Sequence, residues 1–153
     1  MNHPLVVAIN ERIKEGFEGP RGVGSMFTDP NTAIFETLEQ LSSEEASIPV
    51  HGTTVAAHTD HTRFYLWGTN VVLKKGKQPE MNWGESWRIT SVNETQWYQI
   101  QDELRNEYLT LIKNIDTVDW NTQTINEALG SLAHSAYHLG AIRQMIKSIK
   151  DPQ

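Results

Sequence analysis

Four of the six histidines in this 153-residue chain fall in two short clusters. His58 and His61 stand in AAHTDHTRFY, and His134 and His138 stand in LAHSAYHLGAIRQ. On a helix, the i, i+4 spacing of His134 and His138 sends both imidazoles out of one face, one turn apart. Two rings so placed can bind one cation at about 2.0–2.1 Å from each nitrogen. A third ligand must then come from another helix, and the segment of His58 and His61 is the other histidine-bearing one. Three neutral imidazoles with a fourth position left open make a catalytic type of metal arrangement rather than a closed structural one. The plainer alternative is a pair of surface or hydrogen-bonded histidines. Against it, His134 and His138 flank an apolar seam, where burying imidazoles is costly unless both nitrogens find partners.

Other scaffolds for chemistry are missing. Val55, His58, Ser131 and Ser135 stand three positions before the four histidines, so the Glu-x-x-His of di-iron bundles does not occur. HExxH, GxSxG, GxxxxGK[ST] and GxGxxG are absent too. With no cysteine, there is no thiolate ligand, cysteine nucleophile or disulfide framework. Asp60 and Arg143 are near the clusters in sequence. Arg143 lies about 140° around the helix from His138, which suits a structural ion pair better than a substrate clamp. Tyr137 is expected to pack in a core or an interface. Trp83 and Trp87 could wall the mouth of a site, although packing against helix ends is the commoner role. Trp97 and Trp120 are read as core.

The elements that must position these residues are helical. Asn2, His3 and Pro4 mark a helix start, and Leu5, Val6, Ile9, Ile13 and Phe17 recur at helical steps, predicting a helix over 4–18. The run Gly19-Pro20-Arg21-Gly22-Val23-Gly24 breaks it. A shorter helix is expected over 31–42 after Asp29-Pro30, then a loop over 43–53. Thr53 or Thr54 can cap a long helix to about residue 75, facing inward at Val55, His58, His61 or Thr62, Tyr65 and Val72. Gly76 ends it, and a loop covers 76–93. Asn93 can cap the next helix, with its stripe of Trp97, Ile100, Leu104, Tyr108, Leu111 and Ile115. After a turn over 116–121, a last helix spans about 122–149, its seam being Ile125, Leu129, Leu132, Ala136, Leu139, Ile142 and Ile146. No alternating strand pattern is sustained. The expected fold is all-α, a single domain over 1–153: a bundle of four long helices with one additional short helix.

Bulk properties narrow the function. A hydrophobic content of 38% with 21% charged residues describes an ordinary globular chain. Thirteen Lys and Arg against nineteen Asp and Glu give a net charge of −6, which argues against nucleic-acid backbone binding. No run approaches 18 apolar residues, so no membrane span is expected. The first residues offer a five-residue apolar stretch, too short for a signal peptide, and the expected compartment is the cytoplasm.

The pattern TTVAAHTDH at 53–61 with HSAYHLGAIRQ at 134–144 resembles the DinB/YfiT-like superfamily of bacterial bundles. The opening HPLVVAINERIKEGFEGP and the stretch NWGESW look like one branch of it, so the likeness covers nearly the whole chain. It implies an up-down-down-up four-helix bundle, often a homodimer, with a divalent metal ion (Zn, Ni or Fe) held by one histidine of the second long helix and an HxxxH pair of the last. Here the pair is His134 and His138. The family's single ligand falls seven residues after the Ser or Thr that opens its helix, which from Thr54 points to His61 and leaves His58 as an extra, a supporting group or a competing ligand.

Relatives of that kind include metal-dependent thiol S-transferases using bacillithiol, mycothiol or glutathione, and hydrolase-like members. The resemblance therefore implies a small-molecule substrate, such as a low-molecular-weight thiol held as thiolate, or water activated for hydrolysis. The rival expectation is a non-catalytic bundle that binds a metal or small ligand at a structural or vestigial site.

Overall fold

The computed structural model describes residues 3–20 and 25–151. Asn2 at the expected helix start and the glycine-rich residues 21–24 lie outside the described residues. Four long helices carry the structure: α1 (Pro4–Glu18), α4 (Val55–Lys75), α5 (Glu94–Thr117) and α6 (Thr122–Lys150), with two short ones between the first pair, α2 (Ile34–Glu39) and α3 (Ser43–Ala46). A single 3-10 turn, Glu85–Trp87, interrupts the connection from α4 to α5. No strand forms among the described residues, beyond an isolated bridge between Val50 and Thr53. Among them, no helix is long and apolar enough to cross a membrane.

The helix ends have local causes. Pro4 begins α1 behind His3, whose Nδ1 accepts the Leu5 N–H. The Thr54 hydroxyl accepts the Ala57 N–H to start α4, and Gly76 ends it in a left-handed conformation that costs a residue without Cβ little. Asn93 and Gln96 form a reciprocal capping box on α5, as do Asn121 and Thr124 on α6.

Two expectations about the short elements are corrected. The helix expected over 31–42 begins only at Ile34, because Asn31 is held at φ 64°, outside the helical region. The expected loop over 43–53 contains α3, started by the capping box of Ser42 with Glu45. That Ser-x-x-Glu signal was present in the sequence.

Each long helix buries the side facing its neighbours. The buried side chains of α5 are the six of the expected stripe, Trp97 to Ile115. Val6, Ile9, Ile13 and Phe17 are buried on α1, whereas Leu5 is exposed. On α6 the expected seam holds at Leu139 and Ile142, which are buried, and at Ile125, Leu132 and Ile146, which pack against the core, but not at Leu129. Leu129 is 45% exposed, and the buried line runs through Thr124, Ala128, Ser131, Ser135, His138, Leu139, Ile142 and Met145. Two of these polar positions find partners on α4: the Ser131 hydroxyl donates to Thr69 Oγ1 at 2.7 Å, and His138 Nδ1 lies 2.8 Å from His58 Nδ1.

Helix α4 packs on α5 and α6, and α1 packs on α6 and α5. Contacts between α4 and α6 run in opposite senses: His58 meets His138, His61 meets His134, and Thr69 meets Ser131. Contacts between α4 and α5 run in the same sense, with Arg63 near Glu103 while Asn70 bonds Glu107 and Asn114. The antiparallel register of α4 and α6 brings the two histidine clusters to one level.

Candidate metal centre

His58 and His61 lie one turn apart in the first half of α4, and His134 and His138 one turn apart in the middle of α6. His134 Nε2 is 3.2 Å from His61 Nε2 and 3.1 Å from His138 Nε2. These three side chains offer ligand atoms that all lie within 4.8 Å of one another. Tetrahedral nitrogen ligands at about 2.05 Å from one ion are about 3.3 Å apart, so the observed spacing suits a common cation. His61 and His138 are buried, and His134 is partly so.

The outer nitrogens of the rings differ. His61 Nδ1 is 2.8 Å from Ser86 Oγ, whose own hydroxyl donates to the Trp83 carbonyl at 2.7 Å. Ser86 therefore accepts from His61, Nδ1 carries the proton, and the Nε2 lone pair faces the cluster. His138 Nδ1 lies 2.8 Å from His58 Nδ1. His134 Nδ1 is buried with no hydrogen-bond partner among the described residues.

Aromatic rings enclose the imidazoles. Trp87 stacks on His61 at 4.2 Å between centroids and 20° between planes, and it meets His58 edge-on at 5.1 Å. Tyr65 stacks on His134 at 3.8 Å and 12°. Trp83 sits 6.0 Å from His61 and packs against Phe64 and Tyr65. Burial among these rings pushes every imidazole of the group below its ordinary range, because it disfavours the charged ring. His138 falls to about 3, with repulsion from His134, His58 and His61 adding to burial. His134 falls to about 4, by burial and then by His61. His58 and His61 are also lowered by burial, the shift of His61 being opposed by Asp60. At neutral pH all four rings are neutral, the form that binds a metal.

The remaining candidates fall elsewhere. Asp60 is buried and pairs with Arg63 at 2.8 Å. Arg143 makes no ion pair among the described residues, contrary to expectation, since its position on α6 brings no carboxylate within reach. Tyr137 is 74% exposed rather than in the core, pointing outward beside the buried His138. Trp83 and Trp87 wall the site instead of capping helix ends. Trp97 is core, its Nε1 donating to the Leu41 carbonyl at 3.0 Å, and Trp120 packs against the core from a partly buried position. A cavity of about 650 Å³ opens away from the histidines, among Phe35, Leu41, Trp97 and Tyr98. A smaller one of about 130 Å³ shares Tyr65 and Trp83 with the surroundings of the centre.

Sequence reasoning missed Ser86 and the stack of Tyr65 on His134. Ser86 belongs to the NWGESW stretch, whose short 3-10 turn follows no helical periodicity. Comparison with family models, with curated proteins and with solved structures gives no match to this chain.

Proposed function

We propose that His61, His134 and His138 hold a divalent cation and that the chain is a metal-dependent enzyme acting on a small molecule, by thiol transfer or hydrolysis. The observation that carries this is the meeting of three Nε2 atoms from two antiparallel helices, 3.1 and 3.2 Å apart, in rings that are neutral at neutral pH. A cluster of three ligand side chains leaves a coordination position for a substrate, which separates this arrangement from a closed four-ligand structural site. The group supplies Lewis acidity, which lowers the pKa of a thiol or of water. The chain's own part is to hold and orient the rings. Ser86 orients His61, Trp87 covers it, and Tyr65 braces His134.

The pairing of α4 with α5 in one sense and with α6 in the other supports an up-down-down-up four-helix bundle of DinB/YfiT-like type. In that family the chemistry proposed here is at home. A chain without cysteine would draw its thiol from a cosubstrate.

Elemental analysis of the purified protein tests the centre: about one divalent ion per chain is expected, lost in His134→Ala and in His138→Ala. Unchanged metal content in both variants would overturn it. For activity, glutathione, bacillithiol and mycothiol are offered singly with a test electrophile. Conjugation faster with the metal-loaded protein than with the chelated one is expected for thiol transfer. Equal rates before and after chelation remove that activity.

A further inference from the structure

The ring of His58 approaches the centre from behind. Its Nδ1 lies 2.8 Å from His138 Nδ1, on the side of the His138 ring facing away from His134 and His61. Two ring nitrogens this close share one proton: two bare lone pairs would repel, and two N–H groups would collide. Either His138 donates and His58 accepts, or the reverse.

The two arrangements differ at the centre. If His138 donates from Nδ1, its Nε2 presents a lone pair towards His134 and His61. If His58 donates, neutral His138 carries its proton on Nε2 and blocks the position. His61 is already held in the first kind of arrangement, because Ser86 spends its hydrogen on the Trp83 carbonyl. We propose that His58 is a positioning residue: its Nδ1 accepts the Nδ1–H of His138, which turns the His138 Nε2 lone pair to the cation site and removes His58 itself from the set of ligands. This rests on the three-histidine centre proposed above.

The His58 ring is fixed well enough for the task. It is 9% exposed, and Trp87 meets it edge-on at 90° while lying nearly flat on His61. Its backbone is tied into the first turns of α4, with the His58 N–H bonded to the Thr54 carbonyl and the His58 carbonyl accepting the Thr62 hydroxyl. One tryptophan thus braces both a ligand and the support of another ligand. Outer partners of metal-bound histidines change metal affinity by roughly 10–100-fold when removed.

The test uses two variants and two readouts. Zinc affinity, measured by competition with a chromophoric chelator, is expected to fall 10–100-fold in His58→Leu. It should stay within about threefold of the parent in His58→Asn, whose Oδ1 can accept in place of Nδ1. Nitrogen-15 NMR of the metal-free parent should show His138 protonated at Nδ1, with His58→Leu shifting it towards Nε2–H. Unchanged affinity in both variants, or Nε2–H on His138 in the metal-free parent, overturns the assignment. So does a His58→Asn variant as weak as His134→Ala, since that marks His58 as a ligand. A parent that binds no zinc refutes the centre itself, while the tautomer measurement still decides the role of His58. Thermal unfolding of each variant checks that it is folded, and the parent's NMR result stands even where His58→Leu is not.

Discussion

Two clusters of rings lie inside this protein at nearly the same spacing, and they do opposite work. Phe17, Phe35 and Tyr108 pack with centroids 4.7 to 5.5 Å apart. His61, His134 and His138 pack at 4.3 to 5.1 Å. Burying the first set releases water from apolar surface and stabilises the fold. Its one polar end, the Tyr108 hydroxyl, donates to the Glu18 carboxylate. Burying the second set disfavours protonation and leaves His134 Nδ1 without a partner among the described residues, a cost the first set does not carry. Equal packing therefore holds the chain together in one place and gathers three imidazoles that could hold a cation in the other.

The sharpest way to break that contrast is to swap the expected consequences. Phe17→Ala should destabilise the protein by about 3–5 kcal/mol, read by urea unfolding, while the folded fraction keeps its metal stoichiometry. Loss of metal without loss of stability would merge the two clusters into one. His138→Ala should do the reverse. Zinc affinity should fall at least about 100-fold, or about 2.7 kcal/mol, while the metal-free variant loses less stability than Phe17→Ala, since the cavity and the His58 Nδ1 left without its His138 partner are partly offset by the loss of a buried imidazole.

Acidification should act on the imidazole cluster and not on the Phe17, Phe35 and Tyr108 cluster. In the unfolded chain histidines titrate near pH 6.5, whereas His134 and His138 titrate in the fold at about 4 and about 3. Between these values the unfolded state binds more protons, so the metal-free protein loses stability as pH falls from about 6.5 towards 4. The loss is at most about 1.4 kcal/mol per pH unit for each ring. Thermal unfolding across that range checks it, and the double variant His134→Ala with His138→Ala should reduce the slope of the profile. A parent profile already flat would show that the rings titrate normally.

The smallest effect concerns the brace on His134, the candidate ligand whose Nδ1 has no hydrogen-bond partner among the described residues. Tyr65→Leu removes the ring stacked on His134 and should weaken zinc binding a few-fold, in line with about 0.5–1.5 kcal/mol for a ring pair. Isothermal titration resolves a change of that size, and no change would mean that the Tyr65 ring only fills space.

Much of this was legible along the chain because it depends on residues close in sequence. The His134 and His138 pair shares a helix face by spacing alone, the stripe of α5 recurs at helical steps, and Thr54, Asn93 and Gly76 end their helices through their own side chains or lack of one. The buried line of α6 was legible only in part, Leu139 and Ile142 being in the expected seam and Ser131 and Ser135 not. A period finds the apolar residues, but Ser131 turns inward to the Thr69 hydroxyl of α4 and Ser135 is buried too, while Leu129 turns out. Ser86 was hidden for a related reason, since an irregular connection has no period and its use to the site comes only from its approach to His61. The choice between His58 and His61 was of the same kind. Both belong to the inward part of α4, and only the antiparallel register of α6 sets His61 against His134 while placing His58 behind His138. Local chemistry determined which side chains could become ligands, and the packing of distant helices decided which nitrogens meet.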